Sequence, residues 1–328
     1  MKSSGPQALP LAAGDSSQPG SVTENILNAI TIDLEDWPQS CVDPQLPLSD
    51  RFVSNTRSVL DLLSQTRTRA TFFVLGLAAE KAPSLIQELV REGHEVQSHG
   101  FGHRLIHSQS PDAFREDVVR AKYLLEDMIG KPVTAYRAPG FSITPRTIWA
   151  LDILAEAGYR VDSSLFPIRT ARYGFPGACR FPHRIRLESA ELVECPVASL
   201  QGLGRLWPTG GGGYYRMWPY PVLRSTIRQI NARAWPAVIY LHPYEFDLDG
   251  LHPPGVSVSW FRRIHQGLYR SFVRPRVERL LREFAFGRLD ETLAAAPELP
   301  SWTYRPPHPR RIDEIAASPV PPTALVPS

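Results

Sequence analysis

Two histidines four residues apart, His99 and His103, stand in the run Ser98-His99-Gly100-Phe101-Gly102-His103. On a helix this spacing offers two imidazoles to one metal ion, but with two glycines between them a loop or a first helical turn is the expected setting. Alone the pair is a weak signal, because unrelated histidines meet this spacing by chance. A second run, Thr31-Ile32-Asp33-Leu34-Glu35-Asp36-Trp37, sets three carboxylates at the end of an apolar β-type stretch. A solvated turn tolerates them; on the rim of a site they repel and shift one another's pKa, and a cation relieves the repulsion. Two neutral imidazoles and one carboxylate make a three-ligand site with room for water and substrate. It suits Zn²⁺ above all, with Co²⁺ or another first-row ion as alternatives, acting as a Lewis acid.

The elements that would position these groups alternate between periods. Residues 29–33, 70–75, 95–98, 134–137 and 160–162 read as short strands. Residues 53–64 are amphipathic, Pro83 opens a helix that stops at Gly93, Ser110 caps a helix running to Gly130, and 145–157 reads as a helix stopped by Gly158. Repeated β-α units predict a parallel sheet or an α/β barrel, with chemistry at the C-terminal strand ends. Asp33, His99, Arg137, Asp162 and His242 all fall at or just beyond such ends.

Composition bounds the rest. The 328 residues are 43% hydrophobic and 21% charged with seven Trp, which predicts one large folded domain with attachments and excludes wholesale disorder, collagen and coiled coil. No stretch is long and apolar enough for a membrane span, and residues 1–28 lack the apolar stretch of a secretory signal. A net charge of +3 argues against nucleic acid as partner. Cys41, Cys179 and Cys195 read as isolated thiols in a reducing compartment, which favours the cytoplasm. Residues 1–25 read as a disordered leader, 26–250 as the main domain, 251–292 as a helical extension packed on it, and 293–328 as a Pro-rich disordered tail. Eight arginines crowd residues 260–288. The simpler account is the wet face of a helix packed through Phe261, Ile264, Leu268, Phe272, Leu280 and Leu281; the sharper one is a surface for an anionic glycan or a membrane-associated partner.

The motifs TIDLED, SHGFGH, YRAPGFS, DSSLFP and YLHPYEFD, in this order, resemble those of the NodB-type polysaccharide deacetylases, carbohydrate esterase family 4. With GGGGYYR and the C-terminal extension, the chain is most similar to the DUF3473-type branch found with bacterial exopolysaccharide clusters, over residues 25–292. The resemblance implies an α/β fold, a deformed (β/α) barrel of the NodB or glycoside hydrolase/deacetylase type. It also implies metal-dependent removal of N-acetyl groups from the amino sugars of a polysaccharide. Asp33 then matches the general base, His99 and His103 the histidine ligands, and Arg137 the arginine that orients the base. The third ligand is Glu35, with Asp36 kept open, because i and i+2 share a strand face with Asp33. His242 matches the general acid, Gly140 supplies an oxyanion N–H, and Leu241 lines the acetyl pocket. Asp162 would hold the tautomer of His242 or only shape a turn. Gly210 to Gly213 lack the Lys-Ser/Thr of a phosphate loop and read as a substrate-facing loop, with Tyr214, Tyr215, Trp207 and Trp218 to stack on sugars or to fill the core. The alternatives are a metal-independent hydrolase of small cyclic amides, allantoinase-like, and a non-catalytic glycan binder. The chain would act in the cytoplasm, or peripherally at the inner face of the membrane beside an export complex.

Overall fold

The computed structural model describes residues 26–304 apart from 169, 171, 172, 189 and 252–254. The expected leader at 1–25 and the expected tail from 305 onward lie outside the described residues. The first strand, β1 (Asn28–Leu34), is buried along its whole length, as a parallel strand covered on both faces must be. After it come α1 (Arg51–Gln65), β2 (Thr71–Val74), α2 (Gly76–Lys81), α3 (Pro83–Arg91), β3 (Glu95–Ser98), α4 (Pro111–Ile129), β4 (Ala135–Tyr136), α5 (Ala150–Glu156) and β5 (Val161–Asp162). The α4 boundaries follow the local chemistry: the Ser110 hydroxyl accepts from the Ala113 N–H, Pro111 takes the first turn, and Gly130 ends the helix at φ +64°.

The alternation then breaks. β6 (His183–Arg186) pairs antiparallel with β7 (Glu191–Glu194), and β8 (Ser199–Gly202) pairs with β9 (Arg205–Pro208) as a separate hairpin. α6 (Tyr214–Met217) and α7 (Tyr220–Asn231) lead to β10 (Val238–Leu241), which returns to lie parallel to β1. α8 (Trp260–Gly267), α9 (Val273–Glu283), β11 (Phe286–Gly287), α10 (Leu289–Ala294) and β12 (Ser301–Trp302) complete the chain.

The sheet runs β10-β1-β2-β3-β4-β5-β7, with β6 and β12 beyond it. Its open side closes without a regular strand. The Ala198 N–H donates to the Val238 carbonyl at 2.8 Å, Tyr240 N–H to Gly210 at 2.9 Å, and Gly212 N–H to Tyr240 at 3.1 Å. The result is the expected deformed barrel, sealed by the glycine run. A Cβ at Gly211 would stand 1.8 Å from the Tyr240 carbonyl oxygen, and one at Gly210 2.4 Å from that of Ala198. These glycines therefore bring two backbones together, a correction to their reading as a substrate-facing loop.

Two other expectations change. The helix read over 145–157 begins only at Ala150, because Thr147 Oγ1 bonds the Ser142 carbonyl and accepts from the Thr144 N–H, a turn that competes with helix. Ordered structure also continues into the segment read as tail, since Ser301 and Trp302 pair with Arg184 and Ile185. Of the residues expected to pack the extension, Leu280 and Leu281 are buried, while Phe261, Ile264, Leu268 and Phe272 are exposed.

Candidate metal centre and active site

Every chemistry-bearing residue stands where its strand ends. Asp33 is the penultimate residue of β1, His99 follows β3, Arg137 follows β4, Asp162 closes β5 and His242 follows β10. Parallel pairing of these strands brings most of them to one mouth, around a cavity of about 470 Å³ whose lining includes Asp33, Glu35, His103, Leu105, Gly140 and His242.

Glu35, His99 and His103 meet with their ligand atoms within 4.8 Å of one another, and Asp33, Glu35 and His242 form an overlapping group by the same measure. His99 Nε2 lies 2.8 Å and His103 Nε2 2.9 Å from the same oxygen, Glu35 Oε1. His99 Nδ1 is 2.8 Å from the Arg137 carbonyl, an acceptor, so this nitrogen carries the ring proton and Nε2 of the neutral ring turns a lone pair toward the carboxylate. In that state lone pair faces lone pair, a repulsion that a second ring proton or a metal ion between the atoms relieves. This donor set, one hard oxygen and two imidazole nitrogens with an outer carbonyl fixing one ring, fits a divalent first-row ion. Burial opposes the charge of Glu35, but the imidazoles of His103 and His242 nonetheless hold its carboxyl well below the usual range. Asp36 is turned away: its carboxylate accepts from the Ser49 N–H and hydroxyl, which corrects its candidacy as a ligand.

The loop that carries the histidines is tightly held. His103 adopts φ +55°, a left-handed conformation that a side chain tolerates only under constraint. The Asp117 carboxylate on α4 accepts from the Phe101 N–H at 2.7 Å, while Gly76 and Leu77 N–H groups donate to the Gly100 and Phe101 carbonyls. Asp117 escaped the sequence reading, since a polar residue inside an amphipathic helix carries no local sign of what it caps.

Asp33 is paired with Arg137. The guanidinium Nη1 donates to Asp33 Oδ1 and Thr31 Oγ1, each at 2.7 Å, and its other nitrogens reach Ser163 O and Oγ at 3.1 and 2.8 Å. Both partners are buried, so the pair is fixed in place and charge-assisted. His242 stacks on Tyr244, with centroids 4.7 Å apart, and its Nε2 lies 3.8 Å from Glu35 Oε2. Its Nδ1 faces Glu245 Oε2 at 3.7 Å, and Glu245 Oε2 also accepts from the His242 N–H. Burial alone would lower the His242 pKa, but Glu35, Glu245 and Asp33 push it up to about 9. Glu245 was missed by the sequence reading, although His-Pro-Tyr-Glu carries the i, i+3 spacing of a reciprocal cap.

Three further expectations are corrected. Asp162 does not hold His242; its Oδ1 accepts from the Ser164 hydroxyl at 2.5 Å, and it lies in register with Glu194 of β7. Leu241 is fully buried in the main core, because strand alternation turns Tyr240 and His242 to the cavity and Leu241 away. Tyr215 is 1% exposed and packs in the same core. Tyr214 remains accessible: with Trp207 and Trp218 it lines a neighbouring cleft of about 880 Å³, and its hydroxyl lies 2.6 Å from that of Tyr173 on the first cavity. Gly140 lies at that cavity in a left-handed conformation, φ +57°. Cys41, Cys179 and Cys195 are free thiols, and no helix among the described residues is long and apolar enough to cross a membrane.

Comparison with known proteins agrees with this arrangement. The family profile "Polysaccharide deacetylase" matches residues 40–161, and "Domain of unknown function (DUF3473)" matches 163–294. The second match takes in the barrel after β5, His242 included, as well as the helices after 250. Among curated relatives, the peptidoglycan-N-acetylglucosamine deacetylase of Bacillus cereus is 29% identical over 40% of this chain and 54% of its own length. The chitooligosaccharide deacetylase of Bradyrhizobium sp. is 34% identical over 31% of this chain and 44% of its own. The chain thus spans about half the length of these relatives. A crystal structure from Mycobacterium smegmatis, assigned as a polysaccharide deacetylase, superposes with a TM-score of 0.57 over 86% of this chain and 92% of that one at 20% identity. Puue allantoinase gives 0.56 over 85% and 94% at 14% identity; at such identities the likeness is one of fold. Taken together, these matches give the chain a region similar to the polysaccharide deacetylase family up to β5 and a region similar to DUF3473 after it, on a fold shared with polysaccharide deacetylases.

Proposed function

We propose that this chain hydrolyses N-acetyl groups from the amino sugars of a polysaccharide. The observation that carries the reading is the convergence of a buried Asp33–Arg137 pair, a Glu35–His99–His103 cluster and His242, flanked by Glu35 and Glu245, on one cavity. A divalent ion held by Glu35, His99 and His103, zinc in this reading, would supply Lewis acidity toward water and the amide oxygen. Asp33, held as an acceptor by Arg137, takes a proton from the attacking water as its oxygen bonds to the acetyl carbon. The N–H of Gly140 donates to the oxyanion that develops. His242 gives its proton to the sugar nitrogen as the C–N bond breaks, so acetate and a free amine leave. The accessible Tyr214, Trp207 and Trp218 offer faces for the sugar rings on either side.

The names of the relatives, peptidoglycan and chitooligosaccharide deacetylases, support the substrate class. The resemblance to the DUF3473-type branch supports an exopolysaccharide as the polymer. The free thiols support a reducing compartment, the cytoplasm. A metal-free cyclic-amide hydrolase would have no use for two imidazoles aimed at one carboxylate oxygen. The test is acetate release from N-acetylglucosamine oligomers and from peptidoglycan. Asp33→Asn and His242→Ala should each lower it by about 10²-fold or more, and a chelator should suppress it. Release unchanged in both variants would defeat the reading.

A further inference from the structure

α8 is turned inside out. At 100° per residue, Trp260, Ile264, Leu268 and Phe261 share one arc of the helix, and Arg262, Arg263, His265 and Gln266 fill the remainder. In a helix that packs on a core, the apolar arc faces inward. Here no residue of α8 is buried; Trp260 is 72%, Phe261 67% and Ile264 56% exposed. The helix is tethered by its polar side. Arg263 Nε donates to the Val258 carbonyl, and the Arg216 guanidinium grips the carbonyls of His265, Gln266 and Leu268 at 2.8, 2.9 and 3.2 Å. The patch continues through Tyr269 and Phe272. Met217, next to Arg216, and Leu248, next to the Asp247 carbonyl that accepts from Arg270, are exposed as well.

Six large apolar side chains exposed within thirteen residues leave this arc without a partner among the described residues. Its charge environment indicates the occupant. Between Asp249 and Glu278 the chain has no acidic residue and five arginines; Arg270 is buried and Arg274 and Arg276 donate to carbonyls of the fold, which leaves the exposed Arg262 and the half-buried Arg263 beside the arc. An apolar arc edged with Trp and Tyr and flanked by Arg262 and Arg263 with no carboxylate in the segment is complementary to an anionic lipid interface: rings enter the headgroup boundary and the Arg262 guanidinium meets phosphate. We propose that α8 and the segment to Phe272 dock the protein on an anionic membrane surface, peripherally and without crossing it. This function is separate from hydrolysis and does not rest on it.

The test is co-sedimentation of the full chain with vesicles of phosphatidylcholine alone and of phosphatidylcholine mixed with phosphatidylglycerol. Binding to the anionic vesicles, weak or absent on the neutral ones, is the expected result. Trp260→Ser together with Phe261→Ser should weaken it by about 10-fold or more, and Arg262→Gln by about 5-fold. All three positions are exposed, so thermal melting should stay at the wild-type value, which checks the fold. The proposal is overturned by failure of the full chain to bind anionic vesicles, or by binding that the double variant leaves intact. A concentration-dependent dimer in sedimentation velocity that Trp260→Ser and Phe261→Ser abolish would also overturn it, by giving the arc to a second copy of the chain.

Discussion

His242 and its two carboxylate neighbours show how single residues set the chemistry. Glu35 and Glu245 stand on opposite sides of the ring and, with Asp33, raise its pKa to about 9 in the metal-free site; a divalent ion on Glu35 would offset part of that rise and leave Glu245 to hold the proton. A raised acid pKa extends activity on the alkaline side. Glu245→Gln should therefore move the alkaline limb of the pH–rate profile down toward the ordinary histidine range while leaving the rate at lower pH nearly unchanged; an unmoved limb would show that Glu245 does not act on His242. Asp33, His99, His103, Arg137 and His242 were legible from residue type, spacing and motif order. Glu245 and Asp117 were not, because each acts through backbone N–H groups brought near only by the fold. Glu35 could be separated from Asp36 only once the turn after β1 handed Asp36 to Ser49.

At the scale of elements, the first half of the barrel is written in local chemistry and the second half is not. Pro and Ser at helix starts and Gly at helix ends mark α3 and α4 almost to the residue. The barrel seam carries no such mark, because it is made by a glycine run with neither period, and only the close approach of Gly210 to Gly212 to Ala198 and Tyr240 reveals its purpose. Gly211→Ala should then cost about 3 kcal/mol or more, since the new methyl meets the Tyr240 carbonyl at a φ of +153°; chemical denaturation would measure it, and a variant as stable as wild type would refute the seam. The loop between β3 and α4 makes a parallel case. Asp117→Ala frees the Phe101 N–H and should cost about 1 to 3 kcal/mol in the same measurement.

For the molecule as a whole, a buried acidic pair ties β5 to β7. Asp162 Oδ2 and Glu194 Oε2 are buried without a donor, burial pushes the Asp162 pKa up to about 6, and burial with the neighbouring Asp162 pushes that of Glu194 well above the usual carboxyl range. Raised carboxyl pKa values mean that the folded chain binds protons more tightly than the unfolded one. The contribution of Asp162 to stability is complete below about pH 4, the ordinary carboxyl range, and is lost as pH rises through about 6. Melting temperature should fall across that window, and Asp162→Asn should flatten the fall; an identical slope in the variant would exclude the pair as its source. Nothing in Val-Asp-Ser-Ser or Val-Glu-Cys foretold this, since it arises from strand register across 31 residues of intervening chain. The central claim is that Glu35, His99 and His103 hold one divalent ion. Anomalous diffraction at the zinc edge from chelator-stripped, zinc-reloaded crystals tests it most directly. A single peak about 2.0 to 2.2 Å from one oxygen of Glu35 and the two Nε2 atoms is predicted; zinc-loaded crystals with no peak there, or with the ion bound elsewhere, would contradict it.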